Sequence, residues 1–320
     1  MITVCICTYN GEKYLSKQLR SIVNQTLLPD EIVVSDDCST DNTLNIIREF
    51  ENNYVNIKWK IVINGKRLGY ARNFINALKL SNGDYIFLSD QDDIWDNEKI
   101  YKMIRQISNH SRIGILFSSY KCIDQYDNPI DFKYRVNNSI VFNIVSKLCL
   151  IQQYSYESFV KSMNIAGMSM CIRKQIIDEF LNLDLNSLKF HDLYLAFFAS
   201  VKGKLYYYNK ALVKYRMHEN NAIGLNNAVG IKDERVEWLK NNVLNQTLLR
   251  SFMHNNSFNI KDYSFIDDLI RFNNDRTTIL EKRQLFKTIS SIVKLNLFPS
   301  ISSYLGDIMY VLKHRFACEK

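Results

Sequence analysis

The stretch GDYIFLSDQDDIWDNEKI, residues 83 to 100, sets an apolar run directly against four carboxylates within seven positions, Asp90, Asp92, Asp93 and Asp96. Neighbouring carboxylates repel one another and raise each other's pKa, so a soluble surface ordinarily disperses them. The crowding asks for a positive partner. YIFLSD reads as a strand, and the repeating pattern on its N-terminal side says what kind of sheet it joins.

Working back from it, ITVCICT (2 to 8) is a β-rich run, after which Leu15, Leu19, Ile22 and Val23 fall on one helical face. EIVVSD (31 to 36) reads as a second strand, with Ser39, Thr40 and Asp41 as candidate N-caps of a helix carrying Leu44, Ile47 and Phe50. IKWKIVIN is a third strand and YARNFINALKLS a third helix. Repeated β-α-β units with near-continuous apolar strands imply a parallel sheet covered on both faces. In such sheets ligands bind beyond the carboxyl ends of the strands. TYNGEKY follows the first strand, DDCSTD the second and DQDD the fourth, so the three polar clusters are expected along one sheet edge.

Working forward, IGILFSS (113 to 119) reads as a strand, DQYDNP as a turn, SIVFNIVSKLCLI as a helix and GMSMCI as a strand. HDLYLAFFASV (191 to 201) reads as an amphipathic helix with His191 and Asp192 at its start, followed by strands KLYYYN and ALVKYRMH. From about residue 225 the pattern is helical, which divides the chain into a catalytic region, 1 to 225, and a helical region, 226 to 320.

The composition of the 320 residues, 47% hydrophobic and 23% charged with ten Gly and three Pro, is that of a compact chain without linkers or repeats. Seven scattered cysteines without a C-x-x-C pair indicate free thiols. With no signal-peptide pattern at MITVCICTYN and no apolar stretch of spanning length, a reducing, cytoplasmic location is expected. Half of the net charge of +8 falls in residues 281 to 320, where seven Lys and Arg face three acids. LFKTISSIVKLNLF and YLGDIMYVLKHRF mix apolar positions at helical spacing with cations. That pattern suits either a helix lying on an anionic membrane surface, making the protein peripheral at the inner face of the plasma membrane, or a solvated basic face. The basic residues form no stripe interleaved with aromatics, so nucleic acid is not an expected partner.

A strand ending in Asp-x-Asp at the lip of a sheet suits a hard divalent cation completed by phosphate and water. Magnesium or manganese would neutralise the carboxylates and bridge to a diphosphate leaving group. The alternative is that Asp92, Asp93 and Asp96 cap a helix beginning near Asn97. The first loop lacks G-x-G-x-x-G, and no G-x-x-x-x-G-K-[ST] occurs, which argues against dinucleotide oxidoreductases and P-loop NTPases.

Taken together, CTYNGEKYLSKQLRSIVNQT, EIVVSDDCSTDNT, GYARNFINAL, GDYIFLSDQDDIW and the later HD resemble glycosyltransferase family 2, over roughly residues 1 to 220. The resemblance implies an inverting sugar-nucleotide transferase with an A-type fold: an α/β, Rossmann-like, mostly parallel sheet flanked by helices. It also implies roles residue by residue. Thr8, Tyr9 and Asn10 resemble the loop that meets the nucleotide, and Asp37 the acid that hydrogen-bonds the pyrimidine, with Asp36 beside it. Arg72 and Asn73 in GYARNFINAL, and Gln91 between the acids, join this nucleotide-sugar-binding set. Asp92 resembles the direct metal ligand and Asp90 the residue nearer the ribose, with Asp93 able to share either part.

Asp192 resembles the general base that deprotonates the acceptor hydroxyl. Many relatives read Glu-Asp where this chain has His191-Asp192, so His191 receives no chemical role. The membrane polysaccharide synthases of the family carry Gln-x-x-Arg-Trp where this chain has YRMHENNAIG, with Arg216 near the donor, His218 as a further metal ligand or hydrogen-bond donor to the leaving group, and Asn221 nearby. Gly167 marks either a close backbone approach or a plain turn. DQDDIW with YRMHENN is similar to a subgroup of rhamnosyltransferases of bacterial capsule, O-antigen and cell-wall polysaccharide assembly. The implied donor is dTDP-L-rhamnose, with UDP-glucose, UDP-galactose or a UDP-N-acetylhexosamine as alternatives, and the implied acceptor is a polysaccharide or lipid-linked glycan. Two rivals stand outside the family. A sugar-1-phosphate nucleotidyltransferase would need a Gly-rich basic first loop, which CTYNGEKY is not, and a non-enzymatic binding module would not need Asp192.

Overall fold

The structure is a computed structural model that describes residues 1–131, 149–219, 234–259 and 261–316. The chain divides into two compact units. One holds residues 1–134, 149–154 and 165–218, and the other residues 135–148, 155–164 and 219–320. The boundary expected near 225, Asn221, and residues 139 to 148 of the helix expected from 139 to 151 lie outside the described residues.

The first unit is built on one ten-stranded sheet. Strands β1 (Ile2–Thr8), β2 (Glu31–Asp36), β3 (Lys58–Ile63) and β4 (Tyr85–Ser89) alternate with helices α1 (Leu15–Val23), α2 (Thr43–Asn53) and α3 (Tyr70–Leu80). All four strands pair in parallel in the order β3-β2-β1-β4. Every residue of β1 and β2 is buried, as expected for strands covered on both faces. The predicted stripe Leu15, Leu19, Ile22 and Val23 forms the buried side of α1. Helix α2 begins after Asn42, which makes no side-chain cap bond, so Ser39, Thr40 and Asp41 do not occupy the N-cap position, although Asp41 reaches the first helical amide. Asp41 accepts hydrogen bonds from the Thr43 and Glu12 amides and so joins two loops.

Beyond β4 the sheet becomes mixed. After the short β5 (Ile94–Trp95) and helix α4 (Lys99–Asn109) come β6 (Ile115–Ile123), β7 (Pro129–Ile130) and β8 (Ile151–Gln153). Further on are β9 (Met170–Arg173) and β10 (Leu205–Arg216). Strand β9 lies antiparallel between β4 and β6, while β10 runs parallel to β6 and antiparallel to β5. The expected strand 167 to 172 therefore starts late. Gly167–Ser169 form a 3-10 turn in which the Ser169 amide and hydroxyl both bond the Ala166 carbonyl. The two strands expected at 204 to 209 and 211 to 218 are one strand whose register against β6 shifts twice. Ile151, expected to end a helix, opens β8.

Helix α5 (Tyr156–Ser162) belongs to the second unit, whereas α6 (Lys174–Leu181) and α7 (His191–Val201) belong to the first. Residues 193 to 200 of α7 are all buried, so the helix is apolar all round rather than amphipathic. It packs against α3, α6 and β10, and this places its N-terminus, with Asp192, on the rigid body of the unit.

The second unit consists of α5, α8 (Glu234–Asn255), α9 (Lys261–Glu281), α10 (Leu285–Ser290), a 3-10 segment (Ser291–Leu297) and α11 (Ile301–Phe316). Helices α8 and α9 pack together, and buried amides tie them to α5. Gln246 donates to the Val160 carbonyl at 3.0 Å and accepts from Asn273 at 3.1 Å. Asp307, buried on α11, is held by the guanidinium groups of Arg235 and Arg276. No helix among the described residues is long and apolar enough to cross a membrane.

A buried acid tests the register of the parallel half. Glu31, at the start of β2, accepts from the Thr3 hydroxyl at 2.9 Å and from the Asn82 side chain at 2.8 Å. Burial opposes its ionisation, but these hydrogen bonds, aided by Lys58, outweigh it, so its pKa lies below the ordinary value. Glu31→Gln is expected to lower unfolding free energy at neutral pH by about 1–3 kcal/mol. A lowered folded-state pKa means that the wild-type advantage is complete above roughly pH 4.3 and drains away as pH falls further. Urea titrations of both proteins at neutral and acidic pH measure this. A gap that persists unchanged in acid would refute the assignment.

Candidate active site

The strand order reverses between β1 and β4, because β1 is followed by β2 on one side and β4 lies on the other. That is the switch point at which α/β sheets open a crevice. The register sets Thr8 opposite Asp36 and Ile6 opposite Ser89, so the loops after β1, β2 and β4 emerge together.

The first loop is locked to its neighbours. The Gln91 side chain pairs with the backbone of Tyr9 in both directions, accepting from its amide at 2.9 Å and donating to its carbonyl at 3.0 Å. A Cβ on Gly11 would lie 2.3 Å from Gln91 Oε1, so the glycine makes room for that pairing. Asn10, in left-handed conformation with φ of 46°, accepts from the Thr40 amide, and its own amide donates to Ser39 Oγ at 2.9 Å. The Arg67 guanidinium lies 3.8 Å from the centre of the Tyr9 ring, a cation–π contact that the motif reading missed.

Several residues expected to meet the donor are instead taken up by the protein. Asp36 is buried and accepts from Thr8 Oγ1 at 2.7 Å, Ser39 Oγ at 2.6 Å and the Ser39 amide at 2.8 Å. Asp37 accepts from Asn64 and from the amides of Leu68 and Gly69, which latches β2 to the entry of α3. Asn73 is buried, donating to the Ser35 carbonyl and accepting from Asn64. Arg72 points the other way, bonding the Asn186 carbonyl at 3.2 Å beside a cavity of about 450 Å³ lined by α3 and residues 181 to 188.

The acidic loop is held from below. Arg216, with no exposed surface, donates from Nε to the Asp92 carbonyl at 2.7 Å and from Nη1 to the Asp124 carbonyl at 3.0 Å. Its Nη2 pairs with Asp127 at 2.5 Å, its backbone amide donates to Asp93 Oδ1 at 3.0 Å, and its guanidinium sits over the Tyr14 ring. Arg216 is thus a fork that fixes the loop rather than a free contact for a donor. Lys99 is a second support that the motifs did not reveal. Its buried ammonium donates to the Met168 carbonyl at 2.6 Å and lies 3.4 Å from the centre of the Trp95 ring. Burial pushes its pKa well down, against the pull of Asp93. The clue in the sequence was its place on the inward stripe with Ile100, Met103 and Ile107.

Above these supports lie the groups that face the crevice. Asp92 Oδ2 stands 2.8 Å from His218 Nε2. Asp90 is raised by burial and by the charges of Asp92 and Asp192, which puts all three carboxylates within electrostatic reach. Burial and the charges of Asp92 and Asp90 also raise Asp93, whose Oδ2 has no hydrogen-bond partner among the described residues. Asp192 is oriented through both oxygens, by the Leu193 amide at 2.8 Å and the Gly167 amide at 3.2 Å. A Cβ on Gly167 would meet His191 Nε2 at 3.0 Å and Asp192 Cβ at 3.3 Å, so this glycine does mark a close approach. His191 is stacked on Phe74 with ring centres 3.9 Å apart and is kept neutral by burial. Among the described residues no three Asp, Glu, His or Cys side chains are already gathered as ligands of one ion.

The loops of β1, β2 and β4, the start of α7 and the end of β10 thus converge on an acidic, supported crevice. Residues 3–178 match the family described as Glycosyl transferase family 2. The chain belongs to this glycosyltransferase family. It is 32% identical over 246 residues to the dTDP-rhamnosyl transferase RfbG of Shigella flexneri, covering 74% of this chain and 79% of that relative. It is also 26% identical over 180 residues to the UDP-Glc:alpha-D-GlcNAc-diphosphoundecaprenol beta-1,3-glucosyltransferase WfgD of Escherichia coli, covering 56% and 63% of the two chains. The fold resembles S. aureus TarS 1-349 in complex with UDP-GlcNAc, with a TM-score of 0.60, 17% identity and coverage of 87% of this glycosyltransferase and 72% of that chain.

Arg216→Met would strand two carbonyls and leave the Asp127 carboxylate to Lys17 alone, and is expected to cost about 3 kcal/mol of stability. Arg216→Lys should recover only part of it, because an ammonium cannot supply the planar fork. Urea unfolding of the two variants measures this, and a lysine variant as stable as wild type would disprove the fork.

Proposed function

We propose that this glycosyltransferase transfers L-rhamnose from dTDP-L-rhamnose, with inversion, to a glycan acceptor in bacterial surface polysaccharide biosynthesis. The observation that carries the chemistry is the meeting of Asp90, Asp92, Asp192 and His218 at one sheet edge, from three separate stretches of chain. The donor assignment rests on the likeness to a dTDP-rhamnosyl transferase over most of both chains. The likeness to a glucosyltransferase whose name carries a diphosphoundecaprenol-linked sugar supports a lipid-linked glycan as acceptor.

Asp192 is the general base in this reading. Its carboxylate accepts the proton of the acceptor hydroxyl as that oxygen bonds to the anomeric carbon and the bond to the diphosphate breaks on the opposite face. Two backbone amides fix its orientation, and its place in the first turn of α7 favours the anion. Tyr9, with Arg67 over its ring, and the backbone of Thr8 to Asn10 form the wall available to a nucleotide.

The donor set also fits a hard divalent cation. Carboxylates crowd one another, Asp93 has an oxygen with no hydrogen-bond partner among the described residues, and the Lys99 ammonium that acts on them is disfavoured in its charged form. Asp92 and His218, with Asp90 beside them, would hold Mg2+ or Mn2+, which supplies charge neutralisation for the departing diphosphate.

Release of dTDP or UDP from a panel of sugar nucleotides, with manganese or with EDTA and with or without a lipid-linked glycan acceptor, tests the reading. Asp192→Asn is expected to lower kcat about 10²- to 10⁴-fold with little change in donor KM. Asp92→Asn and His218→Ala should chiefly raise donor KM and blunt the response to manganese. Near-normal turnover by Asp192→Asn, or preferential use of UDP-glucose over dTDP-L-rhamnose, would overturn the base or the donor assignment respectively.

A further inference from the structure

We infer that residues 285 to 313 form a docking surface for an anionic phospholipid bilayer. This does not rest on the donor assignment, because the surface lies within the helical unit and is argued from its own side chains.

Helix α11 has two apolar faces. Tyr304, Asp307 and Val311 point inward, where Val311 joins Val236, Leu239 and Leu280 in the unit's core. On the outer side Ile301, Leu305 and Met309 recur at helical spacing and are all at least half exposed, Met309 at 65%. An outward stripe of a helix at a water boundary is ordinarily polar. The preceding segment repeats the anomaly. Phe286 and Val293 are 82% and 84% exposed, with Ile289 and Ile292 exposed near them. The segment is nonetheless folded onto its neighbours. The Tyr304 hydroxyl donates to the Ile289 carbonyl at 2.8 Å, and Phe298 packs its ring edge-on against Phe272 and Tyr304.

Charge identifies the occupant. Lys282, Arg283, Lys287, Lys294 and Lys313 are exposed along this stretch. The one acid between residues 282 and 314, Asp307, is buried and neutralised by Arg235 and Arg276. Exposed apolar side chains among long cations are what an anionic interface selects, with apolar groups entering the headgroup boundary and lysines reaching the phosphates. A second copy of the chain is a poor occupant, because a two-fold contact would set this basic face against itself. Since no described helix can span a bilayer, the segment would lie on the surface.

Full-length protein is mixed with vesicles of phosphatidylcholine alone or phosphatidylcholine with phosphatidylglycerol, and the bound fraction is measured by sedimentation without any sugar nucleotide. Binding to the mixed vesicles only, falling as salt rises, is the expected result. The double variant Phe286→Ser with Val293→Ser should lose about tenfold or more in partition, and so should Lys287→Gln with Lys294→Gln. Both should melt within a few degrees of wild type and release nucleotide at the wild-type rate with a soluble acceptor, since these side chains project from the surface. Absence of vesicle binding, equal binding to both vesicle types, or wild-type binding by the serine variant would overturn the proposal. So would a protein that dimerises through this face, shown by a doubled sedimentation mass that the serine variant abolishes.

Discussion

Mutual repulsion among carboxylates at the end of β4 is the constraint around which the first unit is organised. Asp90 and Asp93 are pushed toward their neutral forms by burial and by the charge of Asp92, yet the loop that carries them is firmly placed. Its position comes from Arg216, which grips the Asp92 carbonyl and the turn at Asp124 and Asp127 with one planar group, and from Lys99 beneath Asp93. Lys17 on α1 also pairs with Asp127, so the acidic loop, the turn after β6 and the first helix form one charged assembly. A loop fixed this way can present charge to a substrate without reorganising when it arrives, which is the form of preorganisation that assists group transfer most.

The same logic explains why so many polar residues of the motifs turn inward. Asp36 and Asp37 accept hydrogen bonds within the scaffold, while Asn73 donates to the Ser35 carbonyl and accepts from Asn64, so each ties separate segments together. Buried polar groups must be satisfied, and a satisfied one makes a rigid joint. The crevice therefore has two layers. Asp90, Asp92, Asp192, His218 and the Tyr9 wall face outward, while Arg216, Lys99, Gln91, Asp36, Asp37 and Asn73 hold them in place. His191 belongs to the lower layer. Stacked on Phe74 under Gly167, it packs beside Asp192, where a charged glutamate would set a second negative charge next to that carboxylate.

The helical unit solves a different problem. Its small core of Val236, Leu239, Leu280 and Val311 is supplemented by a buried ion cluster around Asp307. Asp307 uses the guanidinium of Arg276 through both oxygens, which gives α9 and α11 a defined register that apolar contacts alone would leave loose. With its one acid spent inside, the outer surface of α11 presents Ile301, Leu305, Met309 and Lys313 and no carboxylate.

Local periodicity and spacing were enough to read the parallel half of the sheet, the three helices between its strands and the convergence of three polar loops, because each depends on patterns a few residues long. The resemblance carried by those loops was likewise legible, and Asp92, His218 and Asp192 were named from it. What no local pattern could reveal was which polar side chains would be exposed. Arg216 and Asp37 look like binding residues in the chain, but the partners that consume them lie 27 to 124 residues away. Lys99 shares the inward stripe of its helix with Ile100, Met103 and Ile107, but its bond to the Met168 carbonyl, 69 residues away, is not written in that stripe. Helix α7 looked amphipathic and is enclosed because α3, α6 and β10 close over its polar side as well. Burial is a property of distant segments meeting, so the sequence determined the elements and the chemistry available, and tertiary packing decided which groups support and which act.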